Sequence, residues 1–204
     1  HRDLHSFPTR RSSDLSNTGI RIARGKYIGF LDSDDWVDPR MFEMLLEAAE
    51  THQAELAVCD FVEFDEVTSA VTSSYDRAFL DAAGRSERES LTDRRRALLK
   101  LSPVPWRKIY LRSFLLGQRI FFPEGNWFFE DNPFHWYTVL LARKAVVVPE
   151  ALVTHRMNRP GQTMGADPVE LLAVIDHGRS ILRFLRDHDR SEERRVGKEC
   201  RSRW

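Results

Sequence analysis

The residues Tyr27–Leu31, YIGFL, form a short apolar run, and carboxylates crowd in directly after it: Asp32, Asp34, Asp35 and Asp38. A run of this length with Tyr, Ile and Phe reads as a buried strand. Carboxylates this close repel one another, so the fold must separate or use them. Asp38 is accounted for by Asp38-Pro39, an N-cap followed by proline at the first helical position. The helix that follows extends to about Gln53, with Phe42, Leu45, Leu46 and Ala49 on one apolar face. Leu56–Phe64 is the next apolar run. Strand, helix, strand points to an α/β fold. In such a sheet, ligands bind beyond the carboxyl ends of the strands, which is where Asp32, Asp34 and Asp35 stand.

Clustered carboxylates suit a hard divalent cation such as Mg²⁺ or Mn²⁺. Mg²⁺ takes one or two protein carboxylates and fills its shell with water and phosphate oxygens. Asp32, Asp34 and Asp35 are therefore candidates for gripping a metal and a diphosphate. An EF-hand is excluded, because Val37 occupies the position that needs glycine. A phosphatase of the haloacid-dehalogenase type, with Asp32 as nucleophile, also places Asp-x-Asp after a strand. Trp36 stands where that pattern has Thr or Val. A solvated turn with a helix cap is the third reading; it accounts for Asp38 but not for Asp32, Asp34 and Asp35 together.

The two ends read as foreign to the fold. His1–Leu15 can be written as codons whose reverse complement, shifted in frame, translates to Arg190–Trp204. Both ends are thus expected to be one DNA element, similar to a sequencing adapter, read on its two strands. The native domain is then expected to span residues 16–189. Nine of the 31 Lys and Arg but only five of the 31 Asp and Glu lie in the ends, so the remainder is mildly acidic. Nucleic acid is not an expected partner. Cys59 is the one cysteine outside the ends, which fits a reducing compartment. No apolar run reaches the length of a membrane span.

Further along, residues 66–90 are polar and read as a hairpin or loop. Leu91–Leu101 reads as a helix, Pro103 and Pro105 interrupt the chain, and Ile109–Gln118 reads as a short helix. FFPEGNWFFED, residues 121–131, is an aromatic-rich loop, and Asn132-Pro133 starts a helix to about Ala142. Ala145–Val148 and Leu152–His155 read as strands. Asp167-Pro168 starts a last helix with Leu171, Ile175, Leu182 and Leu185 along one side. Trp127, Phe128 and Trp136 are candidates for stacking on sugar faces; core packing is the alternative. His155 is a candidate further metal ligand, with a structural histidine as the alternative. Arg156, Arg159, Gln162 and Thr163 lie in a loop from which an arginine could contact a diphosphate bidentately.

Three segments in order carry a resemblance. NTGIRIARGKYIGFLDSDDWVDPRMFEMLLEAA is similar to the central part of family 2 glycosyltransferases of the GT-A fold, through Asn17, Gly19, Ala23, Gly25, Tyr27, Ile28, Phe30–Asp35 and Pro39. PVPWRKIYLRSFL resembles the family's Trp-x-Lys-x-Tyr segment, and IFFPEGNWFFEDNPF its Glu-Asp segment. The resemblance implies an α/β GT-A (Rossmann-like) fold and inverting transfer from a nucleotide-diphosphate sugar, with a divalent metal. It implies that Asp34, with Asp32 or Asp35, holds the metal. Asn17, Gly19, Arg156 and Arg159 join the three aspartates on the donor side; Lys108 is a candidate to face donor phosphate or acceptor, with a solvated lysine as the alternative. A non-catalytic nucleotide-sugar-binding remnant is the alternative to an enzyme. Asp131, in the pair Glu130-Asp131, is implied as the base. A helix cap beside Asn132-Pro133 is the other reading of Asp131. A raised pKa from the surrounding aromatics would suit the base. By analogy the acceptor is a glycan or lipid-linked acceptor in surface-polysaccharide assembly. The intact enzyme is then expected to be cytoplasmic, with peripheral contact at the inner face of the cell membrane.

The family's domain begins with two strand–helix units before the residue matching Asn17. The chain is therefore expected to lack roughly 60 to 80 residues at its start, about 30 per unit. The strand after Gly25 would then present a bare edge, and the chain on its own would be unstable and inactive. Soluble expression of these 204 residues with measurable nucleotide-sugar turnover would contradict that expectation.

Overall fold

The structure is a computed structural model that describes residues 12–85, 91–124, 128–159 and 172–187. Its elements are α1 (Ser12–Ile22), β1 (Tyr27–Gly29), β2 (Trp36–Val37), α2 (Met41–Thr51), β3 (Leu56–Asp65), β4 (Val71–Ser73) and α3 (Arg77–Arg85). They continue with α4 (Leu91–Leu98), β5 (Lys108–Leu111), α5 (Arg112–Gly117), α6 (Asp131–Leu141), β6 (Ala145–Met157) and α7 (Ala173–Asp187). The sheet order is β1-β5-β3-β6-β2, with β4 on the far end of β3. β3 and β6 run parallel, and every other pairing is antiparallel. β1 pairs only with β5 among the described residues.

β3 is the central strand because both of its faces are apolar. Successive side chains of a strand point to opposite faces. Ala57, Cys59 and Phe61 meet Met41, Leu45 and Ala49 of α2. Leu56 and Val58 face the other way, into a larger cluster that includes Leu80, Phe134, Leu140 and Leu185. A strand covered on both faces reads as a nearly continuous apolar run, and LAVCDFV does so. β6 follows β3 in register until Cys59 meets Val148, then skips Pro149 and Glu150 to place Ala151 opposite Asp60. This bulge carries the proline without breaking the strand, so the two expected strands are one.

Several expectations are corrected by the tertiary contacts. Ile109–Leu111 is the end of β5, and the helix starts only at Arg112. A short apolar run cannot be assigned by periodicity alone; here an open flank of β3 captured it. On α2 the buried row is Met41, Leu45, Ala49, while Phe42 and Leu46 are 43% and 40% exposed. On α7 the buried row is Ala173, His177, Ile181, Leu185, and Ile175 is exposed. Both rows follow the i, i+4 spacing, and the packing partner decides which of two adjacent rows is covered. The hairpin after β3 is present, with Asp65 Oδ1 accepting the Val67 and Thr68 amides at 2.9 and 2.8 Å. The expected loop, however, contains helix α3. Asp38 lies outside α2, whose N-cap position is Arg40. It holds the entry by accepting the Arg40 amide at 2.8 Å. The start expected at Asp167-Pro168, and Leu171, lie outside the described residues.

One buried ion pair ties α3 to the segment that leads into β5. Arg107 Nη1 and Nη2 donate to Asp76 Oδ1 and Oδ2 at 3.1 and 2.7 Å, and the Ser102 amide donates to Oδ2 at 2.6 Å. Both side chains are shut off from water, at 0% and 1% exposure. Bidentate geometry of this kind offsets the cost of dehydrating two charges. Asp76→Ala leaves Arg107 charged, buried and unbalanced. Urea unfolding is expected to show a loss of about 3–5 kcal/mol, with a smaller loss for the double change Asp76→Ala and Arg107→Met.

Candidate active site

After Gly29 the chain leaves β1 and turns through Asp32–Asp35, where the Asp35 amide donates to the Asp32 carbonyl at 3.3 Å. β2 then pairs with β6, Trp36 opposite Thr154. The aspartates are sent in different directions. Asp35 goes inward, with a side chain 1% exposed. Its Oδ1 accepts the Arg156 backbone amide at 3.0 Å and lies 3.0 Å from His155 Nδ1. The His155 ring stacks on Trp106 at 5.2 Å between centroids. Burial lowers the His155 pKa, but the hydrogen bond and charge of Asp35, then Glu63 and Asp32, outweigh it and leave the value raised. A protonated ring then donates from Nδ1 to Asp35. Asp34 is paired with Arg159, Nη2 to Oδ2, at 3.0 Å. Asp32 remains at the mouth. Desolvation raises its pKa, and the charges of Asp35 and Asp34 raise it further, against His155.

Across the site, Asp131 is the first residue of α6, and the approach to it is anchored. Phe129 has φ 63°, a left-handed conformation that a bulky residue rarely adopts. The Asn132 amide and Nδ2 both donate to the Phe129 carbonyl, at 3.1 and 3.3 Å. His177 Nε2 lies 2.7 Å from the Phe128 carbonyl oxygen, so it donates there from α7. Backbone strain held from several sides is common at working sites. Glu130 occupies the N-cap position without a side-chain cap bond. The Asp131 carboxyl is pushed up to about 7, by burial first and then by Glu130 and Asp32, against Lys108. A helix N-terminus alone would favour the ionised form, so burial and like charge dominate. Asp32 is near enough for its charge to bear on Asp131, as the weakest of these influences.

The remaining candidates divide. Lys108 is 1% exposed and faces inward, its Nζ donating to the Ser102 carbonyl at 3.2 Å and to His135 Nδ1 at 3.1 Å. Asn17 is fully buried and acts as a clamp. Its Nδ2 donates to the Phe122 carbonyl and to Glu124, and its Oδ1 accepts the Phe122 amide. Gly19, on α1, has no other group within 4 Å of where a Cβ would stand. The Arg156 guanidinium is bonded to Glu66 and lies 4.7 Å from the Trp36 ring centroid. Trp136 is in the core at 7% exposure, not open to a sugar. Trp127, Gln162 and Thr163 lie outside the described residues. Among the described residues no group of three acidic, histidine or cysteine side chains is placed to hold a metal. The four-residue set Asp32, Asp34, Asp35 and His155 is thus not gathered on one point.

The sequence reading missed His135 and His177, and it gave no role to Trp106, the first residue of the quoted Trp-x-Lys-x-Tyr segment. Each sits in an apolar setting where periodicity reports only burial. Tyr110, though part of a quoted motif, was given no role. It is 0% exposed, its hydroxyl has no partner among the described residues, and burial followed by Asp131 raises its pKa well above the ordinary value.

With this geometry the comparisons with known proteins agree. The sequence profile of glycosyl transferase family 2 matches residues 10–116, and the chain belongs to that family. It is 31% identical over 148 residues to the uncharacterized glycosyltransferase EpsJ of Bacillus subtilis, covering 72% of this chain and 42% of that protein. The putative glycosyltransferase EpsH of the same strain is 28% identical over 147 residues, with 71% and 41% covered. Among solved structures, S. aureus TarS 1-349 in complex with UDP-GlcNAc superposes with a TM-score of 0.64 at 22% identity, covering 83% of this chain and 45% of that one. The likeness to TarS shows the fold, the GT-A arrangement. The chain spans less than half the length of these relatives.

The raised Asp131 value carries a stability consequence. The folded pKa, about 7, lies above the ordinary 3.8. Between those values the unfolded chain has released a proton that the folded chain keeps, so stability falls as pH rises through the window. Asp131→Asn removes this penalty. Urea unfolding is expected to show little change near about pH 4 and a gain of up to a few kcal/mol near about pH 8.

Proposed function

We propose that the intact protein is an inverting, metal-dependent glycosyltransferase that moves a sugar from a nucleotide-diphosphate sugar to an acceptor hydroxyl in surface-polysaccharide assembly. The observation that carries this reading is the placement of Asp131. It is a desolvated carboxyl at a helix start, poised near neutrality and within electrostatic reach of the acidic turn. A carboxylate of ordinary acidity is a poor base, and one raised to about 7 is suited to taking a proton at physiological pH. The UDP-GlcNAc complex of TarS supports a nucleotide-sugar donor, and the Eps relatives support a polysaccharide setting.

The residues fit a divalent cation in the sparse manner that Mg²⁺ prefers. Asp32 has its pKa raised by desolvation first and then by the charges of Asp35 and Asp34, and a cation would relieve both. Asp32 and Asp34 would hold it, with Asp35 and His155 fixing the turn from behind. A bound metal supplies charge neutralisation at the departing diphosphate. Asp131 accepts the acceptor's hydroxyl proton as the oxygen bonds to the sugar's anomeric carbon and the bond to phosphate breaks. Attack from the face opposite the leaving group inverts that carbon. Arg159, now on Asp34, is within the same polar cluster and is a candidate diphosphate contact.

No observation favours the phosphatase reading. Asp32 has a raised pKa, the reverse of an activated carboxylate nucleophile. No described helix is long and apolar enough to cross a membrane, and a lipid-linked acceptor would be met at a membrane surface.

In the full-length protein, Asp131→Asn is expected to lower transfer by at least about 10²-fold while donor binding, followed by calorimetry, persists. Asp32→Asn is expected to weaken metal-dependent donor binding. A full-length protein that binds donor but transfers nothing would support the non-catalytic alternative. Undiminished transfer by Asp131→Asn would sink the base assignment.

A further inference from the structure

Helix α7 lies against α6 and grips it by side chains. Tyr137 Oη and Ser180 Oγ are 2.9 Å apart, and the Tyr137 and Phe184 rings meet at 4.5 Å between centroids. One turn nearer the start of α7 the grip is of another kind. His177 Nε2 donates at 2.7 Å to the carbonyl of Phe128, which belongs not to α6 but to the segment leading into it. His177 shares the buried row of α7 with Ile181 and Leu185 and is 3% exposed, so packing fixes the direction of its ring. Burial lowers its pKa, against the Phe128 carbonyl and the charges of Glu130 and Asp176. A neutral imidazole has one N–H, and the bond to Phe128 sets it on Nε2.

The carbonyl held in this way stands directly before the strained residue. Phe129 has φ 63°, a conformation costly for a bulky side chain. Its own carbonyl accepts both the amide and Nδ2 of Asn132, at 3.1 and 3.3 Å. Asp131 thus lies between two anchors, Phe128 held from α7 and Asn132 held on Phe129. A helix start is ordinarily fixed by a capping side chain. Glu130, at the N-cap position of α6, makes no such bond. The start of α6 is fixed from a neighbouring helix instead.

We propose that His177 is a positioning residue for Asp131: by holding the Phe128 carbonyl it keeps the turn at Phe129 in its strained form, and so sets where the first turn of α6 presents the carboxyl. The proposal rests on the reading of Asp131 as the base. Strain of this kind persists only where the surroundings impose it. Without the imidazole donor the Phe128 carbonyl loses its partner on α7, Phe129 is released, and the first turn of α6 shifts and admits water to the carboxyl. A displacement of about 1 Å is enough to cost about 10²-fold in rate. The acidic turn is held separately, through Asp35 on β6, so donor binding is left in place.

The test uses the full-length protein, free of metal and donor, with the Asp131 carboxyl carbon followed by ¹³C NMR against pH and assigned through Asp131→Asn. His177→Leu is expected to lower the Asp131 midpoint from about 7 toward the ordinary 3.8. A fall of about one unit is about tenfold more ionised carboxylate at a given pH below it. His177→Gln carries an amide donor that reaches the Nε2 position and is expected to keep the midpoint near that of the unaltered protein. Ser180→Ala loosens α7 without touching Phe128 and is also expected to leave it in place. In turnover, His177→Leu is expected to lower kcat about tenfold or more with the donor KM little changed, and His177→Gln to restore it. Should His177→Leu not fold, His177→Asn takes its place, because its amide falls short of the carbonyl. An unmoved midpoint in whichever of these folds overturns the proposal, as does a fall of equal size in Ser180→Ala or in His177→Gln. The midpoint is read on folded molecules without turnover, so undiminished transfer by Asp131→Asn would overturn the base assignment separately.

Discussion

The site depends first on the buried carboxylate of Asp35. Four aspartates in one turn cannot all face water or all face inward, because proximity raises the cost of ionising each. Asp35 resolves this by leaving the group. It accepts the Arg156 amide and the His155 ring, both on β6, and so fastens the turn to the strand that pairs with the centre of the sheet. Trp106 stacks on the same histidine, adding the segment before β5. With Asp35 fixed, Asp32 is left at the mouth and Asp34 is available to Arg159. The acidic turn is thereby one anchored carboxylate carrying two that stay nearer the surface.

A second consequence concerns the opposite wall. Asp131 begins a helix that contributes more apolar surface to the core than polar surface to the site: Phe134, Trp136, Val139 and Leu140 are all buried. Burying that helix brings its first carboxyl out of water, and desolvation is the largest cause of its raised pKa. The packing that stabilises α6 thus also raises the Asp131 pKa, as the proposed base role requires. The cost falls on stability at neutral pH, an ordinary exchange between a working site and the fold that carries it. Of the polar groups beneath it, Arg107 is ion-paired with Asp76, and Lys108 is hydrogen-bonded to His135 and the Ser102 carbonyl.

Much of this was legible in the sequence. The apolar run ending in carboxylates, a helix beginning soon after Asp38-Pro39 and the strand at Leu56–Phe64 follow from side-chain chemistry and periodicity, although the cap itself falls at Arg40. The order of three motif segments identified the family. Where the reading went astray, two local solutions were close in energy. Ile109–Leu111 suits a strand or a helix, and only the open flank of β3 decides between them. Phe42 and Leu46 form as good an apolar row as Met41 and Leu45, and only the direction of the sheet selects the second.

The sequence marked candidates for chemistry: the aspartates of the turn from their crowding, and Glu130-Asp131 and the arginines at and beyond the end of β6 from the resemblance to the family. The tertiary structure alone decided how they are used. It turned Asp35 inward, set Arg159 on Asp34, made Asn17 a clamp on Phe122 and Glu124, and enclosed Lys108 behind His135. Hydrogen-bond partners 100 or more residues apart, such as Asn17 with Phe122 and His155 with Asp35, leave no local periodic signal. Only the folded sheet brings them within reach.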